Sequence, residues 1–154
     1  MRRFAMVLTR NADRADDLVQ EALARALARI DSWTPGTNLR AWLFTILRNV
    51  HLNEMRRESR APFVPESHDH GPVGTMPASQ EEDVSLRELG QILMLLSDEH
   101  RQILMLIAVE GFSYEEAADI CEVPVGTVRS RLSRAREALR QALRGTGMLS
   151  EAGD

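Results

Sequence analysis

The stretch from residue 125 to residue 144 has the sharpest chemical character, with six arginines opposed only by Glu137 and a local charge of +5. Plotted at about 100° per residue, it predicts a helix. Its apolar stripe comprises Val128, Leu132, Ala135, Leu139 and Leu143. Thr127, Ser130, Arg131 and Arg134 fall opposite the stripe, where they could reach base edges. Arg129, Ser133, Arg136 and Arg140 fall on one flank, where the arginines could neutralise phosphates.

The residues before this helix complete a predicted helix-turn-helix. Ser113 and Glu116 have the spacing of a capping box, which opens a short helix to about Cys121. A brief turn, 122–124, leads into the basic helix, and Ala117 and Ala118 are small where two helices must cross closely. A solvated arginine face or a partner-binding helix is the alternative reading of the basic segment alone.

A second candidate nucleic-acid site lies in the first 60 residues. Asn38 ends a turn-rich loop (34–38), and the following helix carries arginine and amide side chains. Aromatic and guanidinium groups can stack on and grip unpaired bases. The candidates are Trp33, Asn38, Trp42, Arg48, Asn49, Arg56 and Arg57. Trp42 lies in an apolar stripe and is better explained as core, whereas Trp33, beside the loop, is the better candidate for exposure.

The elements that must position these residues are all predicted to be helices. The first runs from about Arg14 to Asp31 with Asp13 as N-cap, and its stripe comprises Ala15, Leu18, Val19, Ala22, Leu23, Ala26, Leu27 and Ile30. The second runs from Leu39 to about Arg57. Its stripe comprises Leu39, Trp42, Leu43, Ile46, Leu47 and Val50, and Phe44, Leu52 and Met55 on its back make it apolar nearly all round, as in the centre of a bundle. A third covers 84–96, and a fourth is capped by Ser97 and ended by Gly111.

The pattern therefore predicts an all-α chain of two small helical domains. Residues 1–60 form the first and residues 84–147 the second. Residues 61–83 hold four of the six prolines and no sustained period, so they are interpreted as a flexible acidic linker.

Net charge alone misrepresents the molecule. The 154 residues contain no lysine and total −4, but residues 1–60 carry +4, residues 61–86 carry −5 and residues 87–154 carry −3. The +5 helix at 125–144 lies inside the last block. Two basic segments, 1–60 and 125–144, are therefore separated by an acidic one, which points to polyanion contact at two places.

Several function classes are disfavoured. One cysteine, Cys121, excludes an internal disulfide and a multi-cysteine zinc site, and His68, Asp69 and His70 do not close a coordination sphere, so we expect no metal and no cofactor. We expect no membrane insertion and a cytoplasmic protein, because no apolar run spans a bilayer and no secretory signal is present. No nucleophile–base pair or phosphate loop suggests an enzyme.

Two blocks of the sequence resemble bacterial sigma factors. Residues 12–60 resemble their second conserved region, and residues 86–144, above all GFSYEEAADICEVPVGTVRSRLSRAREAL, resemble the fourth. Nothing resembling the first or third domain lies between, which is typical of extracytoplasmic-function (ECF) sigma factors. The phrases DDLVQE, PGTNLRAWLFTILRN and GFSYEEAADIC resemble the general-stress-response subgroup.

The resemblance implies a subunit that binds core RNA polymerase and promoter DNA and directs transcription initiation under anti-sigma control. It implies core binding by Asp16, Asp17, Leu18, Gln20 and Glu21, −10 binding by Trp33, Asn38, Arg48, Asn49, Arg56 and Arg57, and −35 binding by Thr127, Arg129, Ser130, Arg131, Arg134 and Arg136. The alternative is a sigma-like decoy that sequesters an anti-sigma factor without binding DNA. An ordinary operator-binding repressor would leave the DDLVQE helix without a purpose.

Overall fold

The structure is a computed structural model that describes residues 1–60, residue 90 and residues 93–145. Within these ranges every regular element is a helix, as the all-α prediction requires. The main helices are α1 (Arg2–Thr9), α2 (Ala12–Ala28), α3 (Leu39–Glu58), α4 (Asp98–Leu104), α5 (Tyr114–Cys121) and α6 (Val125–Gly145). The predicted linker, the start of the helix predicted over 84–96 and the motif around His68 lie outside the described residues.

Helix α1 precedes the first helix that the apolar periodicity predicts. Its eight residues bury Phe4, Ala5 and Leu8, and it ends at Arg10, which has a left-handed φ of 56°. The chain then turns directly into α2, whose N-cap is Asn11 rather than the predicted Asp13. The Asn11 side chain accepts a hydrogen bond of 3.0 Å from the backbone N–H of Arg14. This cap satisfies a backbone N–H in the first turn of α2, and α1 packs directly against α2.

Only part of the apolar stripe predicted for α2 lies in the core. Ala15, Leu18, Ala22 and Ala26 are buried, but Leu23, Leu27 and Ile30 are 41%, 75% and 46% exposed. Helix α2 also ends at Ala28, and Ile30–Ser32 forms a short 3₁₀ turn instead of a continuation to Asp31. Helices α1 and α3 pack against α2 and cover Ala22 and Ala26 in its second half, whereas Leu23, Leu27 and Ile30 lie outside that contact.

Helix α3 is central, as its all-round apolar character predicts. Its N-cap is Asn38, and it packs against α2 on one side and α5 on the other. The predicted core stripe is only partly correct, since Leu47 and Val50 are buried but Leu39 is 40% exposed. Phe44, which the pattern assigned to the back of the helix, is fully buried. The reason is that the C-terminal domain covers this back face.

The C-terminal domain begins with a capped helix that changes its winding. Ser97 caps α4 as predicted, accepting from the backbone N–H of His100. The helix continues as a π turn over Met105–Val109, with the N–H of Glu110 bonding to the carbonyl of Met105 at 2.9 Å. Gly111 follows with a φ of 73°, which favours glycine and ends the segment as predicted.

The two domains share one hydrophobic core. The ring of Phe44 in α3 lies 5.4 Å from that of Phe4 in α1 and 4.9 Å, edge to face, from that of Phe112. Phe112 precedes α5 and is 4% exposed. The aromatic series therefore crosses from one domain to the other, and the side chains around it form a continuous buried cluster.

Two ionisable side chains are buried beside this core. Arg101 is 1% exposed and donates to the carbonyl of Leu96 at 3.3 Å and to the carboxylate of Asp98. Arg10 of the N-terminal domain donates to the same Asp98 at 2.5 Å. His51 of α3 is buried, and its Nδ1 has no hydrogen-bond partner among the described residues. Burial lowers the pKa of His51, and the nearby Arg14 adds to that shift.

Candidate nucleic-acid interfaces

The helix-turn-helix is built from local signals that the sequence displays. The Ser113 side chain accepts from the backbone N–H of Glu116 at 3.1 Å, and the Glu116 carboxylate accepts from the N–H of Ser113 at 2.8 Å. This confirms the capping box, and the Ser113 N–H is also the main cause of the lowered pKa of Glu116. Glu122 ends α5 with a left-handed φ of 55°. The N–H of Val123 then bonds back to the carbonyl of Ala118 at 3.1 Å, which sets the turn into α6.

Helix α6 presents most of its predicted DNA-contacting side chains to solvent. Ser130 and Arg134 are exposed and Thr127 is half-buried, and Ser130 Oγ donates to the carbonyl of Thr127 at 3.0 Å. The stripe residues Val128, Leu132 and Ala135 are buried against the rest of the domain. The described part of the N-terminal domain packs on α4, the π turn and α5, and leaves this face of α6 uncovered.

Arg131 is the predicted contact residue that the structure places differently. Its guanidinium forms a 2.8 Å ion pair with Glu99 of α4, and its side chain is 21% exposed. The 100° spacing predicted Arg131 on the outward face, but its side chain lies nearer the side of α6 that packs on α4. Glu99 is well exposed, so the pair is one that a phosphate could replace.

A cationic cavity of about 170 Å³ lies on the other flank of α6. It is lined by Tyr114, Arg129, Leu132, Ser133, Arg136 and Arg140. The guanidinium of Arg129 lies 5.9 Å from the centre of the Tyr114 ring, and Arg140 is held by Glu137 at 2.7 Å. Tyr114 was missed as a site residue, although its position just after the Ser113 cap points to the start of α5, beside α6.

The six predicted −10 residues separate into two groups. Arg56 and Arg57 are exposed in the last turn of α3. Trp33 is half-buried, and its indole N–H has no partner within the part of the chain that the structure describes. The other three contact the C-terminal domain. Asn38 donates to Glu116, Arg48 donates to Gln102 at 3.4 Å, and Asn49 donates to Glu122 at 3.2 Å.

Arg40 is a cation at the start of α3 that sequence reasoning missed. It donates to the backbone carbonyl of Glu110 at 2.6 Å and to the Glu110 carboxylate. Its guanidinium also lies 4.4 Å from the centre of the Phe112 ring and 5.2 Å from that of Phe44. Its position two residues after Asn38 was the available signal.

The predicted polymerase-binding residues lie on α2. Asp17, Gln20 and Glu21 are exposed, and Glu21 pairs with Arg25 at 2.6 Å. Asp16 forms a 2.6 Å ion pair with Arg2 of α1, which lowers the pKa of the Asp16 carboxyl. Leu18 is buried in the core, so it can serve this face only by holding the helix in place.

Other kinds of site are not found in the part of the chain that the structure describes. No group of three or more histidine, cysteine or acidic side chains there could hold a metal ion. None of the helices in the same ranges is long and apolar enough to cross a membrane. Cys121 is buried, and burial raises the pKa of its thiol.

Comparisons with known proteins agree with the two-domain architecture. Residues 1–61 match the family model of sigma-70 region 2, and residues 86–139 match that of sigma-70 region 4. The chain is 47% identical over 141 residues to the ECF RNA polymerase sigma factor EcfG of Rhodopseudomonas palustris, covering 90% of this chain and 76% of that protein.

Solved structures give the same result. The chain is similar to the sigma factor RpoE in complex with the anti-sigma factor NepR from Bartonella quintana, with 39% identity, a TM-score of 0.76 and coverage of 93% of this chain and 89% of the other. It also shares its fold with a chain from the complex of the anti-anti-sigma factor PhyR with NepR, at 22% identity and a TM-score of 0.55 over 91% of this chain and 44% of the other. The chain therefore belongs to the ECF family of sigma-70 factors, and its similarity to EcfG places it in the EcfG-type subgroup.

Proposed function

We propose that the chain is a promoter-specificity subunit of bacterial RNA polymerase. It binds the core enzyme in the cytoplasm, recognises a −35 element with α6 and a −10 element with the loop 34–38 and α3, and directs initiation. The exposed, arginine-bearing face of α6 is the observation that carries the proposal, because it is solvent-facing while the opposite stripe is buried. The polymerase supplies the chemistry, so the chain itself is not an enzyme.

Helix α6 offers two sets of side chains to DNA, one for base edges and one for backbone phosphates. Ser130 and Arg134, with Thr127 beside them, are exposed near the start of the helix and are suited to base edges in the major groove. The cationic cavity on the flank offers three guanidinium groups, those of Arg129, Arg136 and Arg140, which are suited to backbone phosphates. Arg131 joins the interface when Glu99 releases it.

On the N-terminal domain, the −10 face comprises both predicted and newly found residues. Arg56 and Arg57 are exposed and suited to phosphates, while Trp33 and Asn38 lie at the two ends of the loop that precedes α3. Arg40 adds a cation immediately after that loop. Cations and an aromatic ring around a loop are the features that capture unpaired bases.

The core-binding face is the exposed side of α2. Asp17, Gln20 and Glu21 offer two carboxylates and an amide on adjacent turns. Arg2 positions Asp16 at the edge of this face through the ion pair described above. We expect Asp17→Ala to weaken binding to core polymerase more than Asp13→Ala, since Asp13 is also exposed but lies outside the predicted set.

Control by an anti-sigma factor is the second part of the proposal. The similarity to the sigma factor of the NepR complex extends over 93% of this chain, which includes both domains. A protein that stabilises the contact between the two domains, in which Phe44 packs on Phe112, would keep the chain from binding polymerase.

The decisive experiment is transcription by purified core polymerase on fragmented genomic DNA, with sequencing of the transcript starts. Wild-type chain should give starts that share a −35 and a −10 element. Arg134→Ala should reduce initiation at those promoters at least tenfold, whereas Arg144→Ala, an exposed arginine in the last turn of the same helix, serves as the matched control. Absence of initiation by the wild-type chain would refute the proposal.

The decoy is a second candidate with an observation in its favour. The chain shares its fold with a chain of the PhyR–NepR complex, so the fold alone does not separate the two functions. A decoy would bind a small anti-sigma protein tightly and direct no initiation. The retained arginines of α6 favour the sigma factor, since a decoy has no use for a DNA-reading face.

A further inference from the structure

Three carboxylates of the C-terminal domain contact the nucleic-acid face of α3. We name Glu110, Glu116 and Glu122 the acidic rim, because they surround the contact between α3 and α5. Glu110 binds Arg40, Glu116 binds Asn38, and Glu122 binds Asn49. Asn38 and Asn49 belong to the predicted −10 face, and Arg40 follows the loop of that face.

The chemistry of these contacts resembles that of nucleic-acid binding. A carboxylate presents a guanidinium with the same planar, anionic pair of oxygens that a phosphate offers. The amides of Asn38 and Asn49 donate to carboxylate oxygens as they would to acceptors on bases. Single-stranded DNA and the acidic rim therefore compete for the same donors.

We propose that the acidic rim is an intramolecular substitute for single-stranded DNA, which closes the −10 face of the free chain while leaving α6 open. The inference rests on the proposed function, because it takes α3 as the −10-binding helix. The −10 face is covered and α6 is open because of how the domains pack. The described N-terminal domain lies on α4, the π turn and α5, and not on the exposed side of α6. Duplex recognition at −35 can then precede opening at −10.

The strength of the closure is divided between a core contact and weak polar pairs. Phe44 and Phe112 hold the domains together in the buried aromatic series, and Arg40 lies across both rings. The contacts of Asn38 and Asn49 with the rim are at least partly exposed, and exposed polar pairs are individually weak. The ion pair between Arg40 and Glu110 is the stronger one, because the Glu110 side chain is only 9% exposed. The pair between Arg10 and Asp98 is a polar link between the domains that does not involve the acidic rim. Such a contact can be displaced by a stronger polyanion or by polymerase.

The test compares two double variants that each remove two negative charges from the C-terminal domain. Glu110→Gln with Glu122→Gln weakens the rim and leaves the Ser113–Glu116 capping box intact. Glu115→Gln with Asp119→Asn, both exposed on α5, is the matched control for net charge. The probe is a fluorescent random-sequence 20-nucleotide single strand at low salt, read by anisotropy.

We expect the rim variant to bind the single strand about five- to tenfold more tightly than the wild type, and the control at most twofold more tightly. Equal tightening by both variants would show that the carboxylates act only through net charge, and no tightening by the rim variant would show that they do not cover the site. Either result overturns the inference. Because the probe needs no promoter, this outcome is independent of the transcription assay, which tests the proposed function.

A cross-link provides a second measurement should the rim variant lose its fold. Arg10→Cys and Asp98→Cys, in a background of Cys121→Ala and Arg101→Met, can be joined by a reducible bis-maleimide that holds the domains closed at a point outside the acidic rim. Arg101→Met removes the buried guanidinium that would otherwise lose its Asp98 partner. The linked chain should bind the single strand at least tenfold more weakly than the same chain after reduction, while duplex binding through α6 stays within twofold. Equal single-strand affinity before and after reduction would overturn the inference.

Discussion

Phe112→Ala should separate the folding of the two domains. Phe112 is 4% exposed, and the centre of its ring lies 4.9 Å, edge to face, from that of Phe44. The guanidinium of Arg40 lies 4.4 Å from the centre of the same ring. Truncation of a buried phenylalanine costs about 3–5 kcal/mol, which includes the aromatic pair worth about 0.5–1.5 kcal/mol. Because domains of roughly 60 residues are marginally stable alone, a loss of this size at the contact between them should let the two domains unfold separately.

The assay uses the position of the two tryptophans, Trp33 and Trp42, which both lie in the N-terminal domain. Urea unfolding followed by tryptophan fluorescence reports that domain, whereas circular dichroism at 222 nm, the usual helix band, reports every helix. The wild type should give coincident curves, and Phe112→Ala should give a dichroism midpoint that differs from the fluorescence midpoint by about 1 M or more, given m-values of about 1–3 kcal/mol/M. Phe112→Leu, which keeps most of the apolar volume, should stay close to coincident. Coincident curves for Phe112→Ala would refute the shared-core reasoning.

Three further predictions concern single residues. Arg134→Ala should weaken binding to a −35 duplex by about 1–3 kcal/mol, and Arg134→Lys should lose sequence preference while keeping the salt dependence of binding. Anisotropy titrations at several salt concentrations would measure both effects. Equal affinity of the wild type and both variants would mean that another face of α6 enters the groove. Glu122→Gly should stabilise the chain by about 1 kcal/mol in urea, because φ is 55° there, and a loss of stability would mean that the contact with Asn49 outweighs the strain. Burial lowers the pKa of His51, so its neutral form is favoured in the fold and the stability that this gives is present above the unfolded pKa of about 6.5 and lost as pH falls below it. His51→Leu should make the urea midpoint of unfolding depend less on pH between about 7.5 and 5.5. An unchanged pH dependence of the midpoint would contradict this.

The helix-turn-helix was predicted almost completely, because each of its parts has a local signal. The Ser113–Glu116 box, the small residues of α5 and the spacing of α6 are all visible within a few residues of one another. The central position of α3 was also predicted, since a helix that is apolar nearly all round needs partners on several sides.

The misses come from contacts that no local pattern encodes. The stripe of α2 continues through Leu27, which is exposed, because periodicity shows which face is apolar but not how far along the helix a partner covers it. Phe44 was assigned to a back face because the pattern does not reveal that the second domain packs there. Arg40 and the acidic rim belong to the same omission, since their pairing joins residues about 70 positions apart.

The π turn at Met105–Val109 gives the domain contact an unusual genetic property. A π turn holds one residue more than an α-helical turn, so it rotates everything after it by about 100° relative to a continuous helix. That rotation helps to set the direction in which Glu110 and Phe112 leave the helix, towards Arg40 and Phe44. Deleting the single codon for Ala108, which is exposed, would restore an α-helical turn and leave both side chains aimed as before, because the missing residue cancels the lost rotation. The coupling between the two domains can thus survive a one-residue deletion at this turn, whereas the same deletion within α4 would rotate Glu110 and Phe112 by about 100° away from their partners.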